Sequence, residues 1–233
     1  MDNFQKIELS RTNCFLLRAA DGYLLIDCGY AGNEQRFLLK LKRLGLEPSS
    51  VRYLLLTHHH SDHCGLLPYL LSLNPQIRII MNEKCAAYLE AGRNVHPAAE
   101  RYASGTLSAA MQLYGLAGGK AADTFSPYFR RAGDIILSEQ HDVLPDFIGI
   151  PGRFLHTPGH TKGSISLIVG EDAFVGDAAR NILKLAGAPY EPILYYDKEA
   201  CHDSWRRILS TGAKRIHPAH GKSFPAVYLE RYV

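Results

Sequence analysis

Four histidines and one aspartate lie within six consecutive positions, in the stretch "HHHSDH" that begins at His58 and follows the apolar letters "LLLT". If that apolar run is a strand, alternate side chains share one side, so His58 and His60 point together and His59 points away. Asp62 and His63 then follow after a turn and aim at a second point nearby. Imidazole nitrogens and carboxylate oxygens are ligands that suit zinc, iron or manganese. The stretch predicts a metal site where a buried strand ends, and the alternative is a solvated polar loop.

Further ligands are expected at other strand ends, because a loop there can point a side chain at the same place. The helical zinc motif HExxH is absent, and Gly65 and Pro68 oppose a long helix at this point. Three candidates fit: His160 lies in a Pro-Gly turn before a strand, Asp177 comes just past a strand, and His220 follows a short strand. Each residue alone is a weak signal, but together they supply the parts that a two-metal site still lacks.

The bulk composition is that of an ordinary globular protein. The 233 residues are 46% hydrophobic and 21% charged, with a net charge of +3 and interspersed acids and bases, so neither nucleic-acid binding nor membrane binding is expected. The N-terminal letters "MDNFQKIELS" lack the apolar core of a signal peptide, and no apolar run approaches the ~20 residues that span a bilayer. The five cysteines form no CxxC pair, which favours a reducing, cytoplasmic location over a disulfide framework.

Strands and helices alternate along most of the chain, which predicts one layered α/β domain over residues 1–233. The opening letters "FQKIEL", "TNCFLLR" and "GYLLIDCG" indicate a meander of strands. Further strands are expected at "VRYLLLT", "IRIIM", "DIIL", "GRFLHT", "GSISLIV" and "DAFVGD". Helices are expected over residues 33–45, 65–73, 82–92 and about 198–211. Residues 92–133 are rich in Ala, Gly and Tyr and are predicted to be partly helical, with no clean strand.

Several short motifs together resemble the metallo-β-lactamase superfamily, in order and in rough spacing. They are "THHHSDHCG" from Thr57, "TPGHTKGS" from Thr157, "GD" from Gly176 and "PAHG" from Pro218, preceded by a "DCG" turn from Asp27. The resemblance covers most of the chain. It implies a four-layer αββα sandwich with metal ions at one edge, between the two sheets.

The resemblance also implies which residues hold the metals. Metal one is expected on His58, His60 and His160, metal two on Asp62, His63 and His220, and Asp177 is expected to bridge the two. Two zinc ions are the expected cofactors, with iron or manganese as alternatives. Such a pair shares a bridging hydroxide that attacks a small ester, thioester or lactone. The chain is therefore predicted to be a hydrolase, with Asp62 as its catalytic residue.

Departures from the family pattern reduce the number of branches of the superfamily that the chain resembles. His60 stands where diiron reductases carry glutamate, and Asp177 stands where the best-known β-lactamases carry cysteine or serine. The ligand set resembles the glyoxalase II, lactonase and tRNA-processing nuclease branches. Glyoxalase II has a helical domain after the last motif, whereas only residues 222–233 follow it here, which argues against a glutathione thioesterase. The small net charge gives a nuclease little support. A mononuclear iron persulfide dioxygenase keeps the same ligands and is the main alternative; a nuclease or phosphodiesterase is a lesser one.

Residues 82–134 match no branch and are predicted to form a lid or specificity insertion. Their apolar and aromatic side chains favour an acyl or aromatic pocket, and the alternatives are an extra helical layer or a homodimer interface. These side chains are Tyr102, Leu107, Met111, Tyr114, Phe125, Tyr128 and Phe129. Arg130 and Arg131 either meet an anionic substrate group or form a solvated face.

Four further residues are candidates for binding a small-molecule substrate. Arg180 stands where lactonases carry a tyrosine, and Tyr195 and Tyr196 lie downstream, where they can substitute for that tyrosine. Lys222 follows a predicted ligand by two residues. The other histidines are predicted to be non-ligands, and they are His59, His96, His141, His156, His202 and His217.

Overall fold

The computed structural model of the protein describes residues 4–116, 123–138, 145–186 and 189–233. The strands are β1 (Phe4–Leu9), β2 (Thr12–Ala19), β3 (Gly22–Ile26), β4 (Val51–Leu55), β5 (Arg78–Asn82), β6 (Arg101–Tyr102), β7 (Ile135–Leu137), β8 (Arg153–His156), β9 (Ile165–Val169), β10 (Asp172–Gly176), β11 (Leu194–Tyr195), β12 (Arg215–Pro218) and β13 (Phe224–Pro225). The helices are α1 (Glu34–Arg43), α2 (Ser61–Cys64), α3 (Leu67–Leu73), α4 (Glu83–Glu90), α5 (Gly105–Leu116) and α6 (Lys198–Ser210). Within these ranges, no helix combines the length and the apolar character that crossing a bilayer requires.

Two mixed sheets form the centre of the fold. The first has the order β1-β2-β3-β4-β5-β7 and the second has the order β13-β12-β10-β9-β8, while β6 and β11 pair separately. Strands β3, β4, β5 and β7 run parallel in the first sheet, and β10 and β12 run parallel in the second. The segments that follow β4, β10 and β12 carry most of the predicted ligands, so strand ends position the site as expected.

Two apolar cores lie on the two faces of the first sheet. On the outer face, Phe37 of α1 packs in one core with Leu16 of β2. On the inner face, Leu17 of β2 packs in a second core with Phe154 of β8, which belongs to the second sheet. Leu16 and Leu17 enter different cores because successive side chains of a strand point to opposite faces.

A third core covers the outer face of the second sheet. Trp205 and Ile208 of α6 are fully buried there beside Ile216 of β12. The layers therefore run helices, sheet, sheet, helix. This confirms the predicted four-layer αββα sandwich.

The helix predicted over residues 65–73 begins at Leu67, with Pro68 in its first turn. Proline suits that position because the first turn of a helix has no intrahelical partner for its N–H groups. A separate four-residue turn of helix, α2, precedes it and carries Asp62 and His63.

A short strand lies inside the segment for which no strand was predicted. Arg101 and Tyr102 form β6, which pairs antiparallel with Leu194 and Tyr195 of β11. Both β6 residues are exposed and the strand is only two residues long, so it has no apolar alternation that a sequence could reveal. The partly helical character predicted there is confirmed by α5.

Candidate metal centre

The seven predicted ligands converge at one edge of the sandwich. They form three overlapping groups whose nitrogen and oxygen atoms lie within 4.8 Å of one another in each group. The groups are His58 with His60 and His160, His58 with His63 and Asp177, and Asp62 with His63 and His220. The structure thus brings all seven side chains together, while their roles as ligands stay predictions.

The first group has the spacing of ligands around one ion. His60 Nδ1 lies 3.1 Å from His160 Nε2, and the rings of His58 and His160 are 4.8 Å apart. Two nitrogens bound at ~2.0–2.1 Å around a tetrahedral zinc ion lie about 3.3 Å apart. The observed separation fits that geometry.

The second group is built around Asp62. Its Oδ2 lies 3.0 Å from His220 Nε2 and 3.8 Å from His63 Nε2. Asp177 stands between the two groups, with Oδ1 at 3.4 Å from His63 Nε2 and Oδ2 at 3.7 Å from His160 Nε2. One carboxylate therefore presents one oxygen to each group, which is the position of a bridging ligand.

Unpartnered buried atoms show that the donor set fits metal ions. The Nε2 atoms of His58 and His63 and Oδ1 of Asp177 are buried without a hydrogen-bond partner, and these three residues form one of the groups. Burying a polar atom without a partner costs about 1–3 kcal/mol, so three such atoms in one group favour an external partner. A metal ion satisfies nitrogen and carboxylate donors together.

Hydrogen bonds on the far side of each ring orient the ligand nitrogens. His160 Nδ1 lies 2.7 Å from the Leu194 carbonyl oxygen, and His220 Nδ1 lies 2.8 Å from the Arg11 carbonyl oxygen. Each ring donates its Nδ1 proton to a carbonyl, so in the neutral tautomer the lone pair is on Nε2, which is directed at the site. The sheet backbone thus sets both the tautomer and the direction of these side chains.

Asp27 is a supporting residue that the ligand assignment left out. Its buried carboxylate lies 2.7 Å from His63 Nδ1 and accepts a hydrogen bond from the Thr57 backbone N–H at 2.8 Å. It also accepts from the Thr57 hydroxyl at 2.8 Å. Asp27 therefore orients His63 and fixes the start of the histidine stretch. The "DCG" turn was its only sequence signal.

Opposite charges control protonation in the site. Burial and the neighbouring histidines lower the pKa of His58, so its ring is neutral and its lone pair is available. Burial also lowers the pKa of the His63 imidazole, but the charges of Asp27, Asp62 and Asp177 outweigh it and raise that pKa well above its ordinary value. Burial raises the pKa of Asp177, but His220 and His63 outweigh it and lower that pKa to about 2. The carboxylates stay ionised, as ligands must be.

Two glycines let the ligand loops approach closely. Gly176 has φ +53 and a side chain there would collide with the Thr57 hydroxyl, at 2.4 Å. Gly159 has φ +136 and a side chain there would lie 2.4 Å from Cys201 Cα. Only glycine tolerates both the backbone angle and the contact, which explains why glycine precedes both Asp177 and His160.

Asn94 ties the segment 82–134 to the histidine stretch. Its Oδ1 accepts a hydrogen bond from the Ser61 backbone N–H at 2.9 Å, and the neighbouring Val95 N–H donates to His59 Nε2 at 3.2 Å. Helix α2 begins after His60 without a side-chain cap of its own, so Asn94 supplies that cap from a distant segment. No sequence signal pointed to this residue.

The four candidate substrate residues differ in accessibility. Arg180 is 1% exposed and its guanidinium donates to the Ile182 carbonyl oxygen, and Tyr195 is 7% exposed. Tyr196 is half-buried, with the Lys162 ammonium 5.7 Å from its ring centre. Lys222 is exposed. Their roles in substrate binding stay predictions, and Tyr196 and Lys222 are the more exposed pair.

The segment 82–134, predicted to be a lid or specificity insertion, has two differently placed parts. Tyr128 is buried in the first core and Phe125 packs against that core. Arg131 bonds the Pro75 carbonyl oxygen at 3.0 Å and the Tyr128 hydroxyl at 3.0 Å, so it ties loops together. Asn94 and Val95 instead bond to the histidine stretch, at Ser61 and His59. Whether the segment acts as a lid, a further layer or a dimer interface stays a prediction.

The other histidines bond to protein groups. His59 accepts from Val95, and the remaining described ones bond as follows: His96 with Glu100, His156 with the Lys162 carbonyl oxygen, His202 with Glu191, and His217 with Asp172 and Ser223. His141 lies outside the described residues. Within the described ranges none of these histidines belongs to a metal-sized group.

An αββα sandwich with paired His/Asp groups at one edge defines a class of metal-binding protein. A sequence profile described as the metallo-beta-lactamase superfamily matches residues 7–220. The chain belongs to this superfamily, whose members are generally metal-dependent hydrolases. The resemblance seen in the motifs is thereby confirmed at the level of the superfamily.

Individual relatives are distant. The metallo-beta-lactamase fold-containing protein ST1585 of Sulfurisphaera tokodaii is 28% identical over 72% of this chain and 60% of its own length. The uncharacterised protein YobT of Bacillus subtilis is 24% identical over 90% of this chain and 83% of its own length. The crystal structure of ST1585 superposes with a TM-score of 0.66 at 20% identity, covering 100% of this chain and 85% of that one. That structural likeness shows the fold alone.

Proposed function

We propose that the protein is a dinuclear-metal hydrolase that acts on a small ester, thioester or lactone. The observation that carries the proposal is the position of Asp177, whose two oxygens face two separate groups of ligands. A carboxylate that bridges two ions holds them ~3.5–4 Å apart, the separation used by two-metal hydrolases.

The bound ions would supply Lewis acidity and would lower the pKa of a coordinated water towards ~7. The chain's own residues prepare the site for that chemistry. Burial raises the pKa of Asp62, but His63 and His220 outweigh it and lower that pKa well below its ordinary value. Asp62 is therefore ionised and is the proposed acceptor of a proton from attacking water.

Zinc is the proposed metal, with iron or manganese as alternatives. The support is a donor set of nitrogen and oxygen atoms, which all three ions accept. Two cysteines lie near the ligands but bond to backbone carbonyls. The Cys28 thiol donates to the His63 oxygen at 3.2 Å, and the Cys64 thiol donates to the His59 oxygen at 3.4 Å. Burial raises the pKa of both thiols, so neither offers a thiolate at neutral pH.

Turnover of a panel of lactones, thioesters and esters tests the proposal. We expect the zinc-loaded protein to hydrolyse at least one class, and Asp62→Ala to abolish that activity with an unchanged circular dichroism spectrum. The matched control is Asp172→Asn, because Asp172 begins β10 at the end away from the ligands, and it should keep its activity. Retained turnover in Asp62→Ala contradicts the proposal. One iron per chain with oxygen uptake on a persulfide substrate would support the dioxygenase instead.

A further inference from the structure

Helix α6 turns one buried face towards two loops that carry predicted ligands. The buried residues of the helix recur at the spacing of a single helical face, and they are Cys201, Ser204, Trp205 and Ile208. Two of them bond to loop backbone, one just before His160 and one just after Asp177. These loops follow different strands, β8 and β10, so a single helix contacts both.

The indole of Trp205 bonds the residue that follows the bridging aspartate. Its Nε1–H donates to the Ala178 carbonyl oxygen at 2.7 Å, and both residues are buried. The Cys201 thiol donates to the same oxygen at 3.6 Å. The indole ring is itself packed on two sides, since His202 stacks on it at 5.2 Å and the Tyr232 ring lies edge-on at 5.6 Å. The backbone next to the bridging aspartate is thus anchored to a well-packed ring.

A second set of bonds from α6 holds the loop before His160. The Ser204 hydroxyl donates to the Pro158 carbonyl oxygen at 2.7 Å. The Gly159 carbonyl oxygen accepts from the backbone N–H of Asp197 at 3.3 Å, and Asp197 is the N-cap of the helix. The two residues that precede His160 are therefore both bonded to α6 or to its cap.

We propose that α6 is a clamp that sets the spacing of the metal ligands, with Ser204 and Trp205 as its positioning residues. The inference rests on the metal centre of the proposed function. Asp177 Oδ2 lies 3.7 Å from His160 Nε2, and the two bonds that hold their loops come from consecutive residues of one helix, whose geometry is fixed. Ser204 acts on His160, which belongs to one ligand group. Trp205 acts on Asp177, which faces both groups.

Zinc titration of the metal-free protein, in competition with a chelating dye, tests the clamp. Trp205→Phe removes the N–H that holds Ala178 and should weaken the binding of both ions by about 10–100-fold, the range for outer-shell partners of a metal site. Ser204→Ala removes one hydroxyl and should weaken the binding of one ion about tenfold, while the other stays within about twofold. Unequal effects on the two ions are a result that a general loss of stability does not produce.

Ile208→Ala is the matched control on the same buried face. The Ile208 side chain is fully buried in the same core as Trp205 but has no polar atom that could bond a loop. Its truncation should lower the free energy of unfolding more than Ser204→Ala does, because it leaves a cavity, and should leave both zinc affinities within about twofold. Ile208→Val takes its place if the alanine variant does not fold. Zinc affinities that follow the stabilities of the variants overturn the clamp.

Trp205 is the only tryptophan of the chain, so its fluorescence reports on the clamp in the unchanged protein. Zinc is a closed-shell ion without redox chemistry, so a change in indole emission reflects the electric field and the hydrogen bond at Nε1–H. We expect the emission to change as zinc binds, and Asp177→Asn to reduce that change. Emission that stays constant while the dye reports zinc binding overturns the clamp.

The same measurements separate failure of the clamp from failure of the hydrolase. Both affinity losses and the fluorescence change, without turnover of any ester, thioester or lactone, leave the clamp standing and overturn the hydrolase. Turnover by the unchanged protein, with its zinc affinities retained in Trp205→Phe and Ser204→Ala, overturns the clamp and leaves the hydrolase standing.

Discussion

Two clusters that contain histidine and aspartate lie at opposite ends of the parallel strands β10 and β12. Past the carboxyl ends, Asp177 and His220 join the predicted metal centre. At the other end, Asp172 receives two hydrogen bonds from Arg215, at 2.6 and 2.8 Å. His217 bonds Asp172 through Nε2 and Ser223 through Nδ1, both at 2.7 Å. The two clusters contain similar residue types, but their buried polar atoms differ in whether they have hydrogen-bond partners within the protein.

The difference separates polar groups that bond within the protein from the predicted ligands. Both ring nitrogens of His217 have protein partners, and its ring stacks on Phe174 at 4.9 Å. His63 has a partner for Nδ1 and none for the buried Nε2. A satisfied cluster stabilises the strand pair, whereas an unsatisfied buried atom requires an external partner. Hydrogen-bond satisfaction therefore distinguishes the two clusters where composition cannot.

Removing the bridging carboxylate should have the largest effect. Asp177→Asn removes a charge that faces both ligand groups, so we expect the metal content to fall by at least one ion per chain. Turnover should fall at least about 100-fold, because even outer-shell partners of a metal site contribute 10–100-fold. Metal analysis and steady-state kinetics measure both effects. Asp172→Asn is the control, and an equal loss of metal in the two variants would erase the distinction between the clusters.

Asp27→Asn should weaken metal binding by about 10–100-fold without removing a ligand. The oxygen of the introduced amide can still accept from Thr57, but the amide nitrogen would then face His63 Nδ1 and donate to it. That bond places the proton of the His63 ring on Nε2, where it prevents this nitrogen from coordinating a metal ion. Competition with a chelating dye measures the affinity. An affinity equal to that of the unchanged protein would show that Asp27 does not orient His63.

The satisfied cluster should control stability instead. Asp172→Asn should lower the free energy of unfolding at pH 7 by about 1–3 kcal/mol, with metal content unchanged. Hydrogen bonds from Arg215 lower the pKa of Asp172, burial opposes them and His217 assists them. The stabilisation is therefore complete above the unfolded pKa of ~3.9 and is lost as pH falls through the lower folded value.

Urea denaturation of the metal-free protein as a function of pH measures that contribution. The gap between the unchanged protein and Asp172→Asn should be constant from pH 7 to about pH 5 and should close below about pH 4. A gap that stays constant at the lowest pH that permits folding would contradict the account of Asp172.

Asn94→Ala should have the smallest effect on the metal centre. It removes the bond that caps α2, the turn that carries Asp62 and His63. Loss of one hydrogen bond corresponds to about fivefold in affinity for the second metal. Asn74→Ala is the control, since the Asn74 amide donates to Val51 at the other end of β4. It should change stability and leave metal affinity unchanged.

Much of the site could be predicted because its residues follow strand ends in short motifs. The position of His58 after the apolar strand β4 follows from the local pattern, and the layers follow from the order of strands and helices. Asp27 and Asn94 were missed because their partners, His63 and Ser61, lie 36 and 33 residues away. Contacts of that kind depend on how loops fold over the sheet edge, which no local pattern encodes.

Metal content per chain tests the central claim most directly, on protein produced anaerobically with zinc, iron and manganese all supplied. The account predicts about two ions per chain, with His60→Ala and His220→Ala each retaining about one, because the two histidines belong to different groups. Protein that binds no metal, or that loses both ions in either variant and none in Asp177→Asn, would contradict a site of two ions bridged by one carboxylate.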